Sequence, residues 1–117
     1  MNRAIGALGA LAQGTRLAIF RLLVEAGPEG LAAGRIGEKL VLPPATISIH
    51  LSQLARAGVA KSRSEGRFVI YSADFKAMSE LVAYLTENCC DGAYCEPLLT
   101  EPRIVKMPER TARGRRR

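Results

Sequence analysis

The sequence predicts a mainly α-helical domain with a two-stranded β-hairpin set just before its last helix. Three observations lead there. Apolar residues recur at three- and four-residue spacing through most of the chain before Cys89, the period switches to two between Val59 and Ser72, and glycine and proline punctuate the changes. A length of 117 residues with 48% hydrophobic composition fits one such domain.

Ile5, Leu8, Leu11 and Ala12 follow the spacing of a first helix. Gly6, Gly9 and Gly14 each cost it about 1 kcal/mol against alanine, so this helix is expected to rest on a partner surface. Thr15 suits the N-cap of a second helix, with Leu17, Phe20, Leu23 and Val24 as its stripe and Gly27-Pro28 as its stop. Leu31 to Leu40 reads as a third helix, with Ile36 and Leu40 on one side, and Val41 to Pro44 as the turn after it. Pro44 opens a fourth helix, where its missing N–H is no loss. That helix reaches about Ala57, buries Ile47, Leu51 and Leu54, and closes at Gly58.

From Val59 to Ser72, Phe68 and Ile70 face one way and Arg67, Val69 and Tyr71 the other, with Glu65-Gly66 at a tight turn. Asp74 then caps a last helix whose apolar face is Phe75, Met78, Leu81, Val82 and Leu85. Beyond Cys95, three prolines and an arginine run predict a disordered basic tail over 96–117, leaving 1–95 as the folded domain. A helix–turn–helix followed at once by a hairpin is the winged helix-turn-helix arrangement. Its second helix enters the major groove of DNA and its wing lies along the neighbouring backbone.

No apolar run approaches the roughly 18 residues that cross a bilayer. The chain start also lacks a strong apolar stretch followed by a small-residue cleavage site, so a cytoplasmic protein without membrane contact is expected. The net charge of +6 is unevenly placed. Residues 103–117 hold seven basic residues against Glu109, whereas residues 1–102 hold ten basic and ten acidic groups. The basic character belongs to the tail, and the body must be judged on local charge.

On the fourth helix the burial of Ile47, Leu51 and Leu54 leaves Thr46, Ser48, His50 and Gln53 outward. These side chains can hydrogen-bond base edges or phosphates, and glutamine can bond adenine bidentately. A merely solvated face would carry Lys and Glu, and residues 44–55 hold neither. From Arg56 to Arg67 four basic residues, Arg56, Lys61, Arg63 and Arg67, stand against Glu65 alone. On a wing they would pair with phosphates and fix orientation; the plain alternative is an edge hairpin kept soluble by charge.

The run from Thr46 to Val59, followed by Arg63 to Tyr71, resembles the signature of the ArsR/SmtB family of metal-sensing repressors. Gly14 to Phe20 is similar to that family's second helix, and the likeness spans roughly residues 4–88. The resemblance implies a homodimer formed through the first and last helices. It also implies binding to an inverted-repeat operator in double-stranded DNA and release when an inducer binds.

Cys89, Cys90 and Cys95 are the only cysteines and lie within seven positions. In a reducing cytosol a structural disulfide is not expected, and a bridge between adjacent cysteines is strained. The spacing differs from zinc-ribbon pairs, and no histidine is near to complete four ligands. Three thiolates suit a soft ion preferring all-sulfur, trigonal coordination, and trivalent arsenic or antimony has that preference because its lone pair fills the remaining site. The alternatives are ordinary helix-end residues, a thiol redox switch, or a site for another soft metal such as cadmium or lead. The region matching the family's third-helix cysteine site, Ala32 to Gly37, has no cysteine, and residues 74–88 do not match its last-helix zinc site. Both absences favour Cys89, Cys90 and Cys95, which resemble the ligands of an arsenite-responsive subgroup carrying cysteines just past the last helix. An enzyme using these thiols is not expected: they follow a helix C-terminus, where the dipole disfavours thiolates, and no organic cofactor is implied.

Overall fold

Residues 1–92 are described in a computed structural model of the chain. Their order is α1 (Asn2–Leu11), α2 (Gly14–Ala26), a 3-10 turn (Gly27–Glu29), β1 (Leu31–Ala32), α3 (Ala33–Leu40), α4 (Pro44–Arg56), β2 (Ala60–Glu65), β3 (Phe68–Ala73) and α5 (Phe75–Leu85). A second 3-10 segment, Cys89–Gly92, follows. Met1–Thr86 form one compact unit and a second begins at Glu87. The boundary expected at 95/96, Cys95 and the basic tail all lie outside the described residues. No single described helix is long and apolar enough to cross a membrane.

The helix–turn–helix and the hairpin stand where the periodicity predicts them. Pro44 occupies the first turn of α4, and Gly58 follows its C-cap with a positive φ of 85°. Ile47, Leu51 and Leu54 are buried against Ile19, Leu23 and Ile36 of α2 and α3. Each such side chain contributes roughly 1.5–3 kcal/mol of hydrophobic stabilisation. Asp74 caps α5, its Oδ1 accepting from the Ala77 N–H at 3.0 Å.

Three expectations change. The N-cap of α2 is Gln13 rather than Thr15: the Gln13 Oε1 accepts from the Arg16 N–H at 2.8 Å, and Thr15 lies inside the helix. The buried stripe of α2 is Ile19, Phe20 and Leu23, while Leu17 and Val24 are exposed, because α2 turns its Ile19 side toward α4. Leu31-Ala32 is not helix but a short strand, pairing Leu31 with Tyr71 and Ala32 with Ile70. The sheet is therefore antiparallel and three-stranded, in the order β1-β3-β2. Gly30 makes this possible. Its φ is 76°, and a Cβ there would stand 2.3 Å from the Tyr71 carbonyl oxygen, so no other residue lets the chain approach β3 as closely.

The outer helices bury one residue each, Ala7 on α1 and Leu81 on α5. Ala7 is buried on α1, with Ala4, Ala10 and Leu11 packed beside it, whereas Ile5 and Leu8 point outward. On α5, Leu81 is buried and Met78 packs on the core, while Phe75, Val82 and Leu85 are exposed. α1 and α5 contact one another, so these exposed side chains belong to neighbouring elements.

Candidate functional site

A helix turns about 100° per residue, so burial of Ile47, Leu51 and Leu54 settles which side of α4 meets solvent. Ser48, Ile49, Ser52, Gln53 and Arg56 together line a shallow depression on that side. Ser48, Gln53 and Arg56 thus stand where the sequence puts them. Thr46 and His50 do not project freely: both are half-buried at the margin of the face. His50 in particular has its Nδ1 buried with no hydrogen-bond partner among the described residues, because its position lies close to Ile47 and Leu54 on the helix. Only the remainder of its ring is open to a ligand.

Two residues of this face were not singled out from the sequence. Ser52 adds a hydroxyl, and Ile49, 58% exposed, adds an apolar surface of the kind that packs on a thymine methyl group. The buried trio alone places both of them opposite the core. A third is Arg16 of α2, which no periodicity reveals. Its Nη1 donates to the Gln53 Oε1 and its Nε donates to the Ala10 carbonyl at 2.6 Å.

The wing carries its cations outward. Lys61, Arg63 and Arg67 are all exposed. Glu65 pairs with Phe68 across the turn, and of the two turn residues only Gly66 has a positive φ, 62°, which is the pattern of a type II′ hairpin. Arg67 therefore stands at the tip. Arg63 is engaged: its Nε donates to the Glu65 Oε2 at 2.8 Å, and its Nη2 donates to the Glu29 carbonyl at 2.8 Å.

After α5 the backbone changes hand. Asn88, Cys90 and Asp91 have φ of 57°, 56° and 60°, the left-handed region that non-glycine residues enter at a cost. Within this segment the Cys89 and Cys90 Sγ atoms are 3.5 Å apart, Cys89 half-buried and Cys90 exposed. Two sulfurs bound to one ion at about 2.3 Å with angles of about 90–110° stand roughly 3.3–3.8 Å apart. The pair is thus compatible with chelation of one soft ion. Cys95, the third expected ligand, lies outside the described residues, and among those described no three metal-ligating side chains converge.

Residues 11–63 match a helix-turn-helix domain model. The chain is 36% identical over 73 residues to an HTH-type transcriptional regulator of Methanocaldococcus jannaschii, covering 62% of this chain and 80% of that protein. It is 34% identical over 83 residues to the transcriptional activator HlyU of Vibrio cholerae, covering 68% and 74%. A solved structure of HlyU superimposes with a TM-score of 0.58 at 32% identity, covering 72% of this chain and 91% of that one. Another solved structure is of HlyU in reduced form, with a TM-score of 0.59 at 27% identity over 76% of this chain and 90% of that one. The homodimeric winged helix-turn-helix DNA-binding domain of Mb0332 from Mycobacterium bovis, a possible ArsR-family regulator, shares the fold. Its TM-score is 0.61 at 22% identity, over 80% of this chain and 87% of that one. The curated relatives are regulators rather than enzymes.

Proposed function

Since the chain belongs to the helix-turn-helix transcriptional regulators of the ArsR/HlyU type, we propose that it is a homodimeric repressor controlled by a soft metalloid. It binds an inverted-repeat operator and leaves it when Cys89, Cys90 and Cys95 take up trivalent arsenic or antimony. The observation that carries the metalloid reading is the Cys89–Cys90 sulfur pair, 3.5 Å apart in a left-handed segment directly after α5. When bound, the ion supplies a crosslink between sulfurs that no single thiol provides.

The chain's own residues do the rest. Ser48, Ser52 and Gln53 offer hydrogen bonds to base edges, and Ile49 offers apolar contact in the same groove. Thr46 and the open part of His50 reach the margin of that groove. Arg56, Lys61 and Arg67 hold the phosphates on either side and orient the helix without reading sequence, while Arg63, which the sequence also assigns to this set, braces the wing through Glu29 and Glu65. The exposed Ile5, Leu8, Val82 and Leu85 are suited to face a second copy, and Mb0332, which shares the fold, is homodimeric. α5 then belongs to both the dimer contact and the chain leading to Cys89. Drawing the cysteines together pulls on the end of α5 and alters the spacing of the two recognition helices. A coupling of about 1–3 kcal/mol lowers operator affinity roughly 5–150-fold.

A second reading, control by thiol oxidation, draws support from the solved reduced form of HlyU. The deciding experiment is a DNA-release titration with arsenite, antimonite, cadmium, zinc and hydrogen peroxide, followed by transcription from the same operator in vitro. Release by arsenite or antimonite with rising transcription bears out the proposal. Release by peroxide alone supports the second reading, and falling transcription on release contradicts repression.

A further inference from the structure

We infer that Arg16 dictates which hydrogen-bonding edge Gln53 presents to DNA, and with it the base that α4 selects. The inference rests on the reading of α4 as the DNA-reading helix.

A guanidinium carries donors only and accepts no hydrogen bond. The atom of Gln53 that faces Arg16 Nη1 must therefore be the amide oxygen, Oε1. Arg16 is itself held from two sides. Its Nε donates to the Ala10 carbonyl at the end of α1, and its backbone N–H donates to the Gln13 side chain at the start of α2. It is half-buried, whereas Gln53 is exposed on the outward depression of α4. The partner with less freedom sets the orientation of the other.

The consequence is chemical. A free glutamine offers one acceptor and one donor side by side, which matches the N6 and N7 of adenine. The Arg16 bond takes one lone pair of the Gln53 oxygen and fixes that oxygen on the Arg16 side, so the NH₂ donor is the group Gln53 turns outward. That group fits an edge made of acceptors alone, and the N7 and O6 atoms of guanine form such an edge in the major groove. Cytosine, which presents the N4 donor, is disfavoured. Arg16 is a positioning residue: it acts through Gln53 and has no need to touch the base.

The test is selection from a randomised duplex pool by the full chain and its variants, followed by anisotropy on single-base operator variants. The wild-type protein should favour guanine over adenine about tenfold or more at one position of each half-site. Arg16→Ala should bring that ratio to about one or invert it, with thermal stability and affinity for random DNA recorded alongside. Arg16→Lys, which still donates to Oε1, should keep the guanine preference. Gln53→Glu keeps an acceptor toward Arg16 but turns a second acceptor outward, so its preference should move to cytosine, and this arm stands even if Arg16→Ala does not fold. A folded Arg16→Ala protein that weakens on all sequences equally, with its guanine preference intact, overturns the inference. So does guanine preference retained by Gln53→Glu. If Gln53→Ala also leaves every preference unchanged, Gln53 is not a base contact; if the wild type selects no sequence, the reading of α4 itself fails.

Discussion

The Arg63 Nη2 donates to the backbone carbonyl of Glu29 at 2.8 Å, joining the first wing strand to the 3-10 turn that follows α2. The same guanidinium pairs with Glu65, both side chains being about half exposed. The wing cations are therefore not equivalent. Arg67 at the turn and Lys61 make no ion pair among the described residues, while Arg63 already commits its Nε and Nη2 within the protein.

Arg67→Ala and Lys61→Ala should each weaken binding to all sequences and flatten the salt dependence by about one phosphate's worth of counterion release. Their melting temperatures should stay at the wild-type value. Arg63→Ala should change the salt slope less and instead lower stability slightly, by about 0.5–1.5 kcal/mol, the net value of the lost carbonyl hydrogen bond. The exposed ion pair adds little to that. Anisotropy at several salt concentrations, with thermal melts of the same samples, separates the two behaviours. Equal slope changes for Arg63 and Arg67 would show that Arg63 leaves Glu29 to reach DNA.

Much of the fold was legible in the sequence because it is governed by local rules. Pro44, Gly58 and Asp74 mark element ends by backbone chemistry that acts within a turn, and Ile47, Leu51 and Leu54 mark one helical face. What the sequence left open depends on contacts between elements. β1 exists only because Tyr71 and Ile70 offer it a partner across β3. Leu17 and Val24 are apolar at helical spacing yet exposed, since the geometry of α2 against α4 chooses Ile19 instead. The Arg16–Gln53 contact joins positions 37 apart, beyond the reach of any periodicity. Within the candidate site, the half-burial of His50 follows from its place beside the core stripe, which residue type alone did not convey.

Val41, in the turn between α3 and α4, is 86% exposed with φ 56° and ψ 53°. A β-branched residue pays about 1–2 kcal/mol in that left-handed conformation, and its side chain recovers little by burial. Val41→Gly should relieve the strain, with part of the gain offset by the greater entropy of glycine in the unfolded chain. The net expectation is a stabilisation of about 0.5–1 kcal/mol, seen as a melting temperature several degrees higher. Val41→Ala, which still carries a Cβ, should gain much less. A lower melting temperature for the glycine variant would mean that Val41 makes a contact worth more than its strain.

Leu8 on α1 and Leu85 on α5 are 42% and 56% exposed, on the outward sides of helices that bury only Ala7 and Leu81. If a second copy covers them, a charge there must be desolvated without a partner. Leu8→Glu and Leu85→Glu should each turn the protein monomeric by light scattering. Binding to the full operator should fall toward the affinity of a single half-site. Variants that remain dimeric would move the dimer contact elsewhere on the molecule.

Control of DNA affinity by the cysteines after α5 is tested by titrating operator-bound protein with arsenite. Labelled operator is held by the wild-type protein and by the Cys89→Ser, Cys90→Ser and Cys95→Ser variants, and anisotropy is followed as arsenite is added under reducing conditions. The three variants should bind the operator as tightly as the wild type, since none of these residues lies on α4 or the wing. Wild-type protein should release DNA, and each variant should need a far higher arsenite concentration or fail to respond, because a three-sulfur site loses a bond with every substitution. Three variants that all release DNA at the wild-type arsenite concentration would contradict the account.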